Sequence, residues 1–111
     1  MSWDASLTFQ GVNEWHSMGD WNYTHNTSRM IYAALGGRKD SAWYATLDGT
    51  SGSGGADYLH QIIVGLEADP EKFRALNPEN GWGDYDSLLE VLHEMRSAGR
   101  EWPEGKWWCS G

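Results

Sequence analysis

The six-residue segment WNYTHN, residues 21–26, combines two aromatic rings, two carboxamides, a hydroxyl and an imidazole without a charged group. Neutral hydrogen-bonding groups beside Trp and Tyr are typical of recognition sites. Asn22, Thr24 and Asn26 alternate along the chain, so an extended backbone would turn their side chains the same way. The candidate ligand-binding or partner-binding residues of this segment are Trp21, Asn22, Tyr23, Thr24, His25 and Asn26.

The alternative for this segment is a structural role. Asn and Thr side chains bond to nearby backbone in turns and helix caps. In that interpretation Trp21 and Tyr23 anchor in the core, and the polar residues set the angle at which the chain enters a helix. The sequence favours this role over a polar pocket.

The glycine-rich segment DGTSGSGG, residues 48–55, is predicted to be a flexible loop that leads into a helix. Backbone amides at Ser53, Gly54 and Gly55 suit an anion at the positive end of that helix. However, no Lys follows in the P-loop spacing GxxxxGK[ST], and the dinucleotide pattern GxGxxG is absent. We therefore expect a surface loop, with anion binding as the weaker alternative.

The residue types that commonly catalyse reactions or bind metals are present, but they do not occur at the spacings of known catalytic or metal-binding motifs. The four histidines are His16, His25, His60 and His93. No two are three or four positions apart, so no helix presents a pair of imidazole ligands. Asp20 and His25 would need a serine that no GxSxG segment marks, and Cys109 lies two residues from the end. We predict no catalytic residue, no metal and no cofactor; a hydrolase or transferase is the least favoured class.

The chain has 111 residues and a net charge of −8, from 16 acidic and 8 basic side chains. This length corresponds to one domain. An acidic surface repels phosphate backbones, so direct nucleic-acid binding is not expected. An acidic protein can instead compete with nucleic acid for a basic partner, although charge also serves solubility alone.

The cellular setting is predicted from what the sequence lacks. No apolar run approaches the 18 residues of a membrane-spanning helix, and the first residues do not resemble a signal peptide. The single cysteine excludes an intramolecular disulfide. We expect a cytoplasmic protein without membrane contact, and the sequence leaves its oligomeric state open.

Hydrophobic periodicity predicts a strand over residues 3–9, where apolar and polar residues alternate. The apolar members of this strand are Trp3, Ala5, Leu7 and Phe9. Residues 24–37 have apolar side chains at helical spacing and end in two glycines, which predicts a helix. Residues 41–47 are interpreted as a second strand or an extended loop.

Three more helices are predicted further along the chain. Their candidate N-cap residues are Asp57 or Ser53, then Asp69, and finally Asp84 or Asp86. Pro70 suits the first position of the middle, short helix, and Gly99 is expected to end the last one. The predicted fold is a single α+β domain over residues 1–111, with three main helices and one short helix against a small antiparallel sheet.

The C-terminal tail, residues 101–111, contains three tryptophans. Pro103 and Gly105 suit the second and fourth positions of a type I turn, and an extended segment is expected after it. Trp107 and Trp108 either complete the core or form an exposed patch that needs a partner. Packing is the favoured alternative, and both residues remain candidates for partner binding.

The order of these segments resembles that of a group of small uncharacterised proteins from bacteriophages and bacteria, actinobacteria included. The shared features are the N-x-T-x-N pattern of residues 22–26, the run ADPEKFRALNPENGWGDYDSLLEVL, and a late tryptophan after a Pro-x-Gly turn, here Pro103, Gly105 and Trp107. The resemblance implies no particular activity. It implies a phage or mobile-element accessory protein that works in the cytoplasm of a bacterial host.

Two functions from different classes follow. The favoured one is binding of a host protein or protein complex, such as a nucleic-acid-handling one, to inhibit a bacterial defence system. The alternative is binding of a small ligand such as a cyclic nucleotide, with the WNYTHN segment on the base and the glycine-rich loop on the phosphate. The basic residues nearest in sequence to that segment are Arg29, Arg38 and Lys39.

Overall fold

The computed structural model describes residues 2–11, 14–37 and 42–111. Its elements in chain order are β1 (Ser2–Gln10), β2 (Trp15–Thr24), a single 3-10 turn (His25–Thr27), α1 (Ser28–Ala34), α2 (Trp43–Leu47), α3 (Gly52–Glu67), α4 (Pro70–Arg74), α5 (Tyr85–Glu101) and β3 (Lys106–Ser110). Within those residues, five α-helices and a three-stranded antiparallel sheet form the predicted α+β fold.

The sheet has the strand order β2-β1-β3, with β1 antiparallel to both neighbours. The predicted alternation of β1 is confirmed, because Trp3, Ala5 and Leu7 are buried. Side chains of successive strand residues point to opposite faces, so the residues between them form a polar outer face. The helices cover the apolar inner face and enclose the core.

The large aromatic side chains of the core come from the sheet and from α2, α4 and α5, and its aliphatic side chains come mainly from α1, α2 and the two long helices. Its largest fully buried side chains are Trp3, Trp43, Trp107, Tyr85, Leu7, Met30, Ile31, Leu47, Leu59, Ile62, Ile63 and Leu66. Asp69 and Asp84 cap α4 and α5 as predicted, each accepting a hydrogen bond from a backbone amide three residues later.

The prediction of a strand or extended loop over residues 41–47 is wrong, because residues 43–47 form the helix α2. Trp43 and Leu47 are four residues apart and both buried, which is the spacing of one helix face. Tertiary hydrogen bonds hold the first turn: the Trp43 amide donates to the Tyr32 hydroxyl at 3.2 Å, and the Tyr58 hydroxyl donates to the Trp43 carbonyl at 3.1 Å.

The glycine-rich segment is only partly a loop, because α3 begins at Gly52. The N-cap is Ser51 rather than Ser53 or Asp57, and its hydroxyl accepts a hydrogen bond from the Gly54 amide at 3.0 Å. Gly52 and Gly55 are buried. The interpretation of residues 52–55 as flexible loop is therefore wrong, and the reason is close packing against the C-terminal tail.

Gly99 does not end α5, which continues to Glu101. A Cβ atom at Gly99 would lie 2.5 Å from the Gly52 carbonyl oxygen, so this glycine allows α3 and α5 to approach closely. The predicted turn follows, with the Gly105 amide donating to the Trp102 carbonyl at 3.0 Å. The extended segment after that turn is β3, which pairs with β1.

Candidate functional site

The WNYTHN segment lies at the end of β2 and in the 3-10 turn that precedes α1. Trp21 and Tyr23 pack half-buried against the core, as the structural interpretation predicts. Asn22 and Thr24 point to the outer face of the sheet, because neighbouring strand residues alternate. The segment is therefore both a core anchor and a source of solvent-facing polar groups.

The Asn22 side chain is held by the neighbouring strand. Its Nδ2 lies 3.1 Å from Ser2 Oγ, 3.2 Å from the Trp3 carbonyl oxygen and 2.8 Å from Asp4 Oδ1. A backbone carbonyl and a carboxylate only accept hydrogen bonds, so the nitrogen must face β1. The carboxamide orientation is thus set by these three partners.

Thr24 and Asn26 organise the 3-10 turn. Thr24 Oγ1 accepts from the Asn26 amide at 3.2 Å, and the Thr27 hydroxyl donates back to the Thr24 carbonyl at 3.2 Å. These bonds use the backbone amide of Asn26 and not its side chain, which bonds to a distant part of the chain. Its Nδ2 donates to the Trp82 carbonyl at 3.3 Å.

Trp82 lies in the loop between α4 and α5, and its residue surface is 71% exposed. Its amide donates to Asn80 Oδ1 at 2.9 Å, while its carbonyl accepts from Asn26. Two residues after Trp82, the backbone of Asp84 is bonded to the Tyr23 hydroxyl, which accepts from the Asp84 amide at 3.1 Å and donates to the Asp84 carbonyl at 3.4 Å. The loop backbone is thus bonded on both sides of an exposed indole.

Two glycines shape this loop. Gly81 and Gly83 have φ angles of +75° and +90°, which side chains other than glycine rarely adopt. A Cβ atom at Gly83 would also lie 2.5 Å from Thr24 Cγ2. The backbone conformation therefore favours glycine at both positions, and at Gly83 the close contact with Thr24 is a second reason.

These groups line an open surface pocket of about 730 Å³. Its lining residues are Ser2, Asn22, Tyr23, Thr24, Asn26, Asn80 and Trp82. None of them is charged, although the chain carries 24 acidic or basic residues, the sum of 16 and 8. A neighbouring pocket of about 600 Å³ shares Asn26 and Asn80 and includes Arg29 and Glu79. We refer to the first as the amide pocket.

The structure brings four of the predicted residues into the amide pocket, namely Asn22, Tyr23, Thr24 and Asn26. His25 points elsewhere: its Nδ1 lies 3.2 Å from Ser28 Oγ, and its ring centroid lies 5.6 Å from that of Tyr44. Histidine is therefore not part of this pocket's chemistry.

The three remaining tryptophan candidates also lie outside the amide pocket. Trp21 and Trp107 contact each other at 5.6 Å between ring centroids, and Trp107 is fully buried. Trp108 is 44% exposed on the outer face of the sheet, where its Nε1 donates to Thr8 Oγ1 at 2.7 Å. The tail therefore packs through Trp107 and exposes Trp108.

The predicted anion-binding amides are occupied by the chain itself. The Gly52 amide donates to the Gly105 carbonyl at 2.8 Å and the Ser53 amide to the Pro103 carbonyl at 3.1 Å. The other two predicted amides are bonded to Ser51: the Gly54 amide donates to its hydroxyl and the Gly55 amide donates to its carbonyl. The start of α3 is thus capped by the C-terminal turn, and the geometry gives an anion no amide donor here.

The Asp20 carboxyl group and the Cys109 thiol were the acidic groups considered for catalysis, and their surroundings account for both. Asp20 accepts from Ser6 at 2.6 Å and from Ser17 at 2.8 Å, and these bonds lower the pKa of its carboxyl group. Burial and the nearby Asp48 carboxylate raise the pKa of the Cys109 thiol to about 12, so the thiol is protonated at neutral pH.

In the part of the chain that the structure describes, no three His, Cys, Asp or Glu side chains are placed to hold a metal ion. No helix among the described residues combines the length and the apolar character that crossing a bilayer requires.

Sequence reasoning missed Trp82, Asn80 and Ser2, which complete the amide pocket. A signal for the first two existed in the pattern Asn-Gly-Trp-Gly over residues 80–83. A large aromatic residue between two glycines in a polar loop has little opportunity to pack locally. No sequence signal marked Ser2, because its place in the pocket depends on the register between β1 and β2.

Comparison with known proteins gives no relative: no family model matches the chain, and neither a curated protein nor a solved structure is significantly similar to it.

Proposed function

We propose that this chain is a non-catalytic recognition protein that binds a host macromolecule through Trp82 and the amide pocket. The observation that carries the proposal is the 71% exposed Trp82, on a loop bonded by Asn26, Asn80 and Tyr23. Exposed aromatic residues in fixed positions are common anchors of protein interfaces. A loop that is ordered before binding lowers the entropy cost of association.

The proposed setting is that of a phage or mobile-element accessory protein in the cytoplasm of a bacterial host. Its partner would be a host protein or complex, in particular nucleic-acid-handling machinery of a defence system. The net charge of −8 supports this choice, because acidic surfaces speed encounter with basic ones. Since the described residues that line the pocket are uncharged, charge elsewhere on the surface would steer the encounter and the pocket would provide the short-range contacts.

The test is affinity capture from a bacterial host lysate with the tagged full chain, its Trp82→Ala variant and a Trp108→Ala control. The control removes a second exposed tryptophan outside the amide pocket. We expect proteins captured by the wild type and the control to be lost with Trp82→Ala, and capture to weaken as salt rises. Equal capture by all three proteins would contradict the proposal.

A second candidate function, binding of a small ligand, is favoured by the concave shape of the pocket and its volume of about 730 Å³. A cyclic nucleotide is a poor fit for it. Arg29, which lines the neighbouring pocket, donates a guanidinium N–H to the Leu76 carbonyl oxygen, and Arg38 and Lys39 lie outside the described residues. A thermal-shift screen decides: stabilisation of the wild type but not of Trp82→Ala by a cyclic nucleotide would favour this second function.

A further inference from the structure

The three carboxamides of the amide pocket have defined orientations, because each is bonded to a backbone group. Asn80 uses its oxygen on the Trp82 amide, and Asn26 uses its nitrogen on the Trp82 carbonyl. Asn22 uses its nitrogen on the Trp3 carbonyl. A backbone N–H can only donate and a carbonyl can only accept, so none of these side chains can be reversed without losing its bond.

These orientations define what the pocket offers to a ligand. Within the described part of the chain, Asn22 Oδ1 and Asn26 Oδ1 accept no hydrogen bond, and Asn80 Nδ2 donates none. The Ser2 hydroxyl accepts from Asn22 and still has its own proton to donate. The pocket therefore presents two strong acceptors, one amide donor and a hydroxyl.

A phosphate or carboxylate does not match this set, because anions offer acceptors and the two carboxamide oxygens need donors. Among the described residues that line the pocket, there is no Lys or Arg to neutralise an anion and no Asp or Glu to pair with a cation. Hydroxyl groups match it well, since each both donates and accepts. The chemistry points to an uncharged ligand with several hydroxyl groups.

Trp82 sets a second requirement for the ligand, in addition to its hydroxyl groups. Its indole presents a flat, electron-rich face to solvent, and such faces attract the weakly positive edges of C–H groups. A pyranose ring has one face of C–H groups and a rim of hydroxyls, so it can stack on the indole while its hydroxyls reach the carboxamides. A pocket of about 730 Å³ lies within the range for small-ligand sites.

We propose that the amide pocket binds a saccharide unit, with its C–H face on Trp82 and its hydroxyls on Asn22, Asn26 and Asn80. The inference rests on the proposed function in taking this pocket as the recognition site. It specifies the chemistry of that site, which a free sugar and a glycan displayed on a host macromolecule share.

The test for the free sugar is a titration of the 15N-labelled full chain with glucose, N-acetylglucosamine, maltose and cellobiose, followed by NMR. The indole Nε1–H signal of Trp82 is assigned from its loss in Trp82→Ala. We expect this signal and the asparagine side-chain amide signals to shift. Trp82→Ala should weaken binding about tenfold, and Trp82→Phe should retain part of it, because it keeps an aromatic face. Trp108→Ala should bind like the wild type.

A glycan array probed with the same proteins tests the displayed source. Binding to arrayed glycans but not to free sugars, lost in Trp82→Ala, supports the proposal and identifies a glycan on a larger molecule. Absence of binding in both assays overturns it. So does a Trp82 shift with adenosine or guanosine and none with sugars, which would assign the pocket to a nucleobase.

The lysate capture separates this inference from the proposed function. If capture depends on Trp82 while no saccharide binds, the saccharide inference fails and recognition of a host macromolecule stands. If saccharides bind in a Trp82-dependent way while capture does not depend on Trp82, the saccharide inference stands and the host-macromolecule function fails.

Discussion

Residues 51–55 and residues 80–83 both combine glycine with small polar residues, and both lie beside the start of a long helix. In the first segment Gly52 and Gly55 are buried, and Trp107 occupies the space that Gly55 leaves: a Cβ atom there would lie 2.3 Å from its ring. In the second, Gly81 and Gly83 have positive φ angles and turn Trp82 out to solvent.

The difference shows two separate uses of the same residue type. At residues 51–55 glycine provides volume, so that α3, α5 and the tail come into contact. At residues 80–83 glycine provides conformation, so that a short loop can present a large side chain. The tryptophan beside glycine is therefore part of the core in the first segment and exposed to solvent in the second.

The largest expected effect is the difference in unfolding free energy between alanine variants of Trp107 and Trp82. Trp107→Ala should lower the free energy of unfolding by about 4 kcal/mol, because it empties a fully buried site. Trp82→Ala should change it by less than about 0.5 kcal/mol, because the removed ring is mostly exposed. Denaturant unfolding of both variants measures this, and comparable losses would remove the distinction between core and surface.

The next effect tests the volume argument at Gly52. A Cβ atom there would lie 1.9 Å from the Trp102 carbonyl oxygen, so the backbone must move. Gly52→Ala should cost about 3 kcal/mol of unfolding free energy in the same measurement. Ser53→Ala is the matched control on an exposed position of the same turn and should cost less than about 0.5 kcal/mol. A neutral Gly52→Ala would show that the contact between the helices is loose.

A smaller effect tests the conformation argument in the Trp82 loop. Gly81→Ala should cost about 1 kcal/mol from its positive φ alone, since a Cβ atom there meets none of the described residues within 4 Å. Gly83→Ala should cost about 2 kcal/mol, because its Cβ atom also meets Thr24. Only Gly83→Ala should clearly shift the Trp82 indole signal in NMR spectra. Equal losses of unfolding free energy in the two variants would mean that the contact between a Cβ atom at position 83 and Thr24 does not affect stability.

The effect that is smallest at neutral pH, because it develops only in alkaline solution, concerns Cys109 in β3, beside the packed segment. Its thiol pKa is raised from 9.0 to about 12, first by burial and then by Asp48. The folded state therefore holds this proton more tightly than the unfolded state, and its contribution to stability is lost as the pH rises from about 9 towards 12. Cys109→Ser should flatten the pH dependence of unfolding in that range.

The same thiol gives a chemical readout of its burial. At pH 8 it should react slowly with a thiol reagent in the folded protein and normally after unfolding. Asp48→Asn should speed the reaction of the folded protein, because it removes the neighbouring negative charge. Fast labelling of the folded wild type would contradict the partly buried setting of Cys109.

Much of the fold could be predicted from local patterns. The alternation in β1, the apolar face of α5 and the caps Asp69 and Asp84 are signals within a few residues of the element they specify. Four of the seven residues that line the amide pocket were also predicted, and the alternation of Asn22, Thr24 and Asn26 along the chain anticipated that these three lie together. Trp82 was not found, because a loop tryptophan has no periodicity to interpret.

The sequence by itself determined which segments become the long helices and the first strand, since hydrophobic period and capping are properties of neighbouring residues. Only the tertiary structure decided that residues 43–47 are helical, that α3 starts on glycine, and that Ser2, Asn22 and Trp82 share one pocket. The physical reason is that these features depend on contacts between distant segments. The Tyr32 and Tyr58 hydroxyls hold α2, Trp107 fits above Gly55, and the β1–β2 register together with the Asn26 bond to Trp82 assembles the pocket.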